Sequence, residues 1–131
     1  MAKKTACSVE TETVRDVLDC IADKWTLVVL DELAEGTMRF AELQRAVGGI
    51  SQKVLTQTLR DMERNGFVER TVYPEVPPRV EYTLTPMGEQ LGESICGVWK
   101  WTSENYARVL IARSSFDDGP RGKRAEPQQV A

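Results

Sequence analysis

The chain has 131 residues, 41% hydrophobic and 28% charged, with 17 Lys and Arg against 20 Asp and Glu, a net charge of −3 and no histidine. That is enough sequence for one ordinary soluble domain, and its longest charge-free run, seven residues, is well short of the roughly 20 apolar residues of a membrane-spanning helix. The missing histidine removes the commonest general base, metal ligand and pH switch, so histidine-based triads and most zinc sites are excluded, and three scattered cysteines fit a reducing cytoplasm, not a disulfide scaffold.

Residues 1–9 read as a flexible, lysine-bearing arm with no apolar stretch after it, so no secretory signal is expected. Over residues 10–22, Val14, Val17, Leu18 and Ile21 recur at i, i+3, i+4 and i+7, the stripe of an amphipathic helix. Lys24 to Leu33 predicts a second helix, apolar over a wide arc and therefore buried, stopped by Gly36. Phe40 to Val47 predicts a short third helix with Phe40, Leu43 and Val47 inward, broken by Gly48-Gly49. Ser51 to Arg64 is the best-defined helix, with Ser51 as its N-cap and Asn65-Gly66 as its stop. On its helical projection Val54, Leu55, Thr58, Leu59 and Met62 share one arc, and Gln52, Lys53, Thr56, Gln57, Arg60 and Arg64 the opposite one.

The period then changes to two. Val68, Arg70 and Val72 alternate with Glu69, Thr71 and Tyr73, and Val80, Tyr82 and Leu84 alternate with Arg79, Glu81 and Thr83. These are two strands of a hairpin whose tip, Pro74 to Pro78, is stiff and poor in amide donors. Thr85-Pro86 restarts a helix, and apolar residues from Met87 to Leu110 carry it to about Ala112, longer than a small domain needs to cover its own core. Residues 113–131, with almost no apolar side chains, predict a disordered tail. The expected organisation is an arm (1–9), one domain (10–112) and a tail (113–131).

This order of elements points to a mainly α fold with a small β-hairpin wing, an α+β winged helix-turn-helix. In such a unit the second helix of the pair enters the DNA major groove. That helix must be apolar behind and free of carboxylates ahead, which the arc Gln52, Lys53, Thr56, Gln57 and Arg60 satisfies. Gln pairs with adenine, Arg and Lys donate to guanine, and Thr takes either role. Ser51 at the helix start, Arg39 heading the third helix and Arg79 on the rigid hairpin tip are further DNA-contact candidates. Bulk charge is no support: residues 10–38 hold eight acids and two bases, residues 39–82 six acids and seven bases, so the DNA reading rests on local patterning. The low net charge leaves one alternative, a winged-helix module that binds a protein through its long helix and never touches DNA. An enzyme is not expected, since no phosphate loop or paired-carboxylate motif is present.

The segments Asp19 to Trp25, Met38 to Leu43, Gly49 to Thr56 and Pro74 to Thr85, the last two with ISQKxLT and PPRVEYxLT, resemble the HxlR-type winged-helix transcriptional regulators, relatives of the MarR group. The similarity runs from about Val14 to Val98. It implies a homodimer on pseudo-palindromic DNA, most naturally as a repressor, with Ser51 to Arg64 as the recognition helix. The first and last helices would form the dimer, placing Val14, Val17, Leu18, Ile95, Trp99, Tyr106 and Val109 at its interface. Some members sense oxidants or electrophiles through a cysteine near the first helix, for which Cys7 is the nearest counterpart here; thiolate chemistry there needs a cationic neighbour such as Lys3 or Lys4. Cys20 and Cys96 are expected in the core or the interface. Trp99, Trp101 and Tyr106 are read as dimer packing, with a small-molecule effector pocket as the alternative. No cofactor and no metal are expected, and the partners are double-stranded DNA, a second copy of the chain and an oxidant or small-molecule effector.

Overall fold

The computed structural model describes residues 11–120. Their elements in chain order are α1 (Thr11–Ile21), α2 (Lys24–Leu33), β1 (Met38–Arg39), α3 (Phe40–Val47), α4 (Gln52–Arg64), β2 (Val68–Tyr73), β3 (Arg79–Leu84) and α5 (Pro86–Asp118). The expected flexible arm lies outside the described residues. The chain divides into two compact units between Ser94 and Ile95.

The first unit is built on a core of aliphatic side chains. Val29, Leu30 and Leu33 of α2, Leu43 of α3, Leu55, Leu59 and Met62 of α4, Ile50, and Phe67, Val68, Tyr82 and Leu84 at the sheet are all buried. Helix starts are fixed by short polar caps. The Asp23 carboxylate accepts from the Trp25 N–H at 2.8 Å, and the Ser51 hydroxyl accepts from the Val54 N–H at 3.1 Å. Between α3 and α4, Gly48 and Gly49 take positive φ values of 71° and 67°, a conformation that costs any other residue energy. The Gln44 side-chain amide donates to the Ile50 carbonyl at 3.2 Å, holding that turn.

The sheet is antiparallel with strand order β1-β3-β2. Val68, Arg70 and Val72 face Leu84, Tyr82 and Val80 in register, so the alternation read from the sequence is the alternation in space. The strand β1 was not expected. Its two residues, Met38 and Arg39, pair with Tyr82 and Glu81, and two residues are too few to show a period.

Two further expectations are corrected. Val54, placed on the inward arc of α4, is 38% exposed. It lies about 90° from the centre of the buried stripe of Leu55, Thr58, Leu59 and Met62 on the helical projection. The tail expected from Arg113 is helical as far as Asp118. Polar residues such as Ser114 and Ser115 argue against burial, not against a helix, and α5 ends at Asp118, where Gly119 follows. Residues 121–131 lie outside the described region.

Candidate nucleic-acid interface

The exposed face of α4 is defined by what is locked behind it. Leu55, Leu59 and Met62 are at most 1% exposed and Thr58 is 6% exposed, which leaves Gln52, Lys53, Thr56, Gln57 and Arg60 no orientation but outward, and each is exposed. At about 100° per residue these divide into two stripes. Gln52, Thr56, Arg60 and, three turns on, Glu63 fall within about 80° of one another. Lys53, Gln57 and Arg64 fall beside them, on the side away from the first stripe's neighbours in the sheet.

The first stripe forms one wall of a groove of about 510 Å³. Its other wall is the sheet, through Arg70, Val80 and Tyr82, and Phe40 of α3 also lines it. Three of the sequence-predicted contacts, Gln52, Thr56 and Arg60, are thus brought together with Glu63, which the helical projection puts on the polar side near the C-terminal end of α4, and with Arg70, to which the sequence reading gives no site role. Both left a signal. Arg70 is a charge on the strand face that it shares with Val68 and Val72, and Glu63 returns to the angular position of Gln52 after eleven residues. Among the described residues neither Arg60 nor Arg70 forms an ion pair; the two ion pairs found there both belong to Arg79.

Ser51 is exposed and spends its hydroxyl on the α4 cap. Gln57 donates its side-chain amide to Asp61 at 3.0 Å, so its NH₂ group already has a partner. Arg39 is exposed at the head of α3, where its backbone N–H donates to Glu42 Oε1 at 2.8 Å.

Arg79 departs from expectation. In place of a free cation on the hairpin tip, its guanidinium is held from three sides. Nη2 lies 3.1 Å from Glu75 Oε2, Nε lies 3.6 Å from Glu81 Oε2, and the group stacks 4.0 Å from the centre of the Tyr73 ring. Tyr73 is its cross-strand partner. The neighbouring residues Glu75 and Glu81 show why: a cation and two anions within seven residues of a tight hairpin pair with each other first.

Cys7 lies outside the described residues. Cys20 is half-buried and Cys96 exposed, so Cys96 is not a core residue. Burial pushes the Cys20 thiol above its ordinary value; a hydrogen bond with Thr26 works against this, and Asp61 and Asp23 add to it. Of the residues expected at a dimer interface, Val14, Leu18, Trp99 and Tyr106 are exposed, and Val17, Ile95 and Val109 are half-buried. Leu18 and Tyr106 keep 50% and 59% of their surface in solvent. Among the described residues no group of three or more metal-ligating side chains converges, and no helix is long and apolar enough to cross a membrane.

The chain belongs to the HxlR-like helix-turn-helix family, whose model matches residues 20–109. It is 44% identical over 99 residues to the HTH-type transcriptional regulator YtfH of Escherichia coli strain K12, covering 76% of this chain and 79% of that protein. It is similar in structure to the transcriptional regulator ytfH from Salmonella typhimurium, with a TM-score of 0.73 and 42% identity over 77% of this chain and 90% of the other. It is also similar to the redox regulator HypR in its reduced form, with a TM-score of 0.69 and 36% identity over 75% of this chain and 97% of that one. It is a transcriptional regulator of the helix-turn-helix type.

Proposed function

We propose that this HxlR-family regulator binds double-stranded DNA in a sequence-specific way as a homodimer, with α4 as recognition helix, and that it represses by occluding a promoter. The observation that carries this is the outward face of α4: Gln52, Lys53, Thr56, Gln57 and Arg60 are all exposed, with no carboxylate among them over the leading turns. These groups match the donors and acceptors of base edges in the major groove. Arg39, exposed at the head of α3, and the amides at that helix start would contact phosphate.

The dimer is supported by the apolar side chains left in solvent on α1 and α5, Val14 and Leu18 on the first and Trp99, Tyr106, Leu110, Ile111 and Phe116 on the second. Aromatic residues exposed in this density are typical of the core of an interface. A two-fold dimer presents two copies of α4 to half-sites roughly 34–36 Å apart, one helical turn, and so requires a pseudo-palindromic operator. The setting is cytoplasmic, and the similarity to a redox regulator supports release by an oxidant or electrophile, with Cys7 as the responding thiol.

A gel-shift titration of the full chain with the DNA upstream of its own gene tests the reading. A discrete complex that survives excess random duplex at moderate salt is expected. A complex that random duplex abolishes would overturn the sequence specificity, and no complex even at low salt would overturn the reading in favour of a protein-binding module. For the signal, Cys7→Ser should abolish oxidant-dependent release while leaving DNA binding intact.

A further inference from the structure

The groove between α4 and the hairpin has two walls of different chemistry, and the difference assigns them different parts of a duplex. The helix wall offers Gln52, Thr56 and Arg60 at successive turns, a row suited to base edges. The sheet wall offers an apolar floor, Val80 and Tyr82, with a single cation, Arg70. A base edge gains little from such a wall, whereas a phosphate needs only one guanidinium to pair with. Arg70 has no ion-pair partner among the described residues, so its charge is available. Arg79 is the reverse case. It is paired with Glu75 and Glu81 and stacked on Tyr73, so to meet a phosphate it must break two ion pairs and leave the Glu75 carboxylate, on the exposed tip, facing the DNA backbone.

We propose that one sugar-phosphate strand of the duplex runs through this groove with Arg70 as its phosphate contact, and that Arg79 is a positioning residue that braces the hairpin tip. This rests on the DNA-binding reading above and adds to it a residue and a path. Glu63 is the carboxylate among the groove's lining residues; a strand passing there is repelled by it, so the site is weaker for all sequences than its cations alone would make it.

The test uses the full-length chain and two probes of about 30 base pairs, long enough for two half-sites: a duplex selected by the wild-type chain from a randomised pool, and a random-sequence duplex. Affinities are read by fluorescence anisotropy between about 50 and 200 mM salt, where each phosphate contact contributes a slope of about 0.9 in log K against log salt. Arg70→Gln should lower the slope by about 0.9, so that the loss of affinity across that range becomes about 3.5-fold smaller. The selected sequence should stay the preferred one, and Arg70→Lys should restore the slope. Arg79→Gln should leave the slope unchanged, and any loss of affinity should be equal at every salt concentration. Glu63→Gln should tighten binding to both probes alike by about threefold, the effect of one unit charge about 6 Å away in water.

An unchanged slope in Arg70→Gln, a slope loss of that size in Arg79→Gln, or weaker binding by Glu63→Gln would overturn the proposal while leaving the DNA-binding reading intact. A wild-type chain that enriches no duplex from the pool would overturn that reading and this proposal with it.

Discussion

Gly88→Ala sets two physical effects of opposite sign against each other. Gly88 lies in the first turn of α5, and alanine is a better helix former than glycine by about 1 kcal/mol. A methyl group at this position, however, would drive into the backbone carbonyl of Phe67, with Leu84 Cδ2 only 3.3 Å away on another side. Neither neighbour is the loose end of a flexible side chain. The clash is relieved only if the start of α5 lifts from residues Gly66 and Phe67. That parts the hydrogen bond from the Thr85 N–H to the Phe67 carbonyl, now 3.0 Å, and the one from the Thr85 hydroxyl to the Gly66 carbonyl, now 2.6 Å. Two hydrogen bonds are worth about 1 kcal/mol each. Opening about 40 Å² of Phe67 and Leu84 to water adds about 1 kcal/mol. Set against the propensity gain, the net destabilisation is about 2 kcal/mol. Gly92, one turn further along the same helix, has nothing within 4 Å of the same methyl, so Gly92→Ala should instead stabilise by about 0.5–1 kcal/mol. Urea denaturation at fixed protein concentration reads both as shifts in the midpoint at unchanged m. A Gly88→Ala chain at least as stable as wild type, beside a normally stabilised Gly92→Ala, would refute the steric argument.

Three other outcomes follow from the same side chains. Gln52→Ala and Arg60→Ala should each weaken operator binding by about 1–3 kcal/mol and relax the preference at one base position; equal losses on operator and random duplex would remove them from base readout. Trp99→Glu should shift the mass measured by light scattering from dimer to monomer, with helix content by circular dichroism retained, because a carboxylate buried in an apolar interface is costly. Because burial raises the Cys20 thiol above its ordinary value, the unfolded chain loses that proton first as pH rises. Stability should therefore decline above about pH 9, and the Cys20→Ala chain should show a shallower decline.

Much of the fold is legible because α4 is marked twice, by the Ser51 cap and by the separation of its buried and exposed faces, and both depend only on spacing along one helix. The hairpin was legible for the same reason, with period two on either side of a proline-rich tip. What was not legible needed pairing across the chain. The strand β1 exists because Met38 and Arg39 meet Tyr82 and Glu81, residues more than 40 positions away. The partners of Arg79 are not legible from its place on a turn, because its environment is set by Tyr73 across the strand and by Glu75 and Glu81 near it. Arg70 is not legible as part of a site because a charge on a strand face otherwise made of valines reads as an irregularity until the groove that it lines is known. The end of α5 is not legible from composition, because a polar stretch predicts exposure and not loss of helix, and the helix runs to Asp118, before Gly119.

The acidity of the chain bears on how it would discriminate. A net charge of −3 repels a duplex at a distance, but at physiological salt that repulsion fades over about 8 Å. Attraction at contact then depends on the few cations that face the duplex without carboxylate partners, such as Arg60 and Arg70. Binding to random DNA comes almost wholly from such phosphate contacts, so a chain with few of them, and with Glu63 set among them, holds random duplex weakly. The base contacts proposed for Gln52, Thr56 and Arg60 would not be reduced in the same proportion, since their hydrogen bonds would form at short range. What matters in a genome full of competing sites is the ratio of specific to random binding, not the affinity alone. If α4 reads DNA as proposed, an acidic body around a small, partly uncompensated surface would therefore raise that ratio by weakening its denominator.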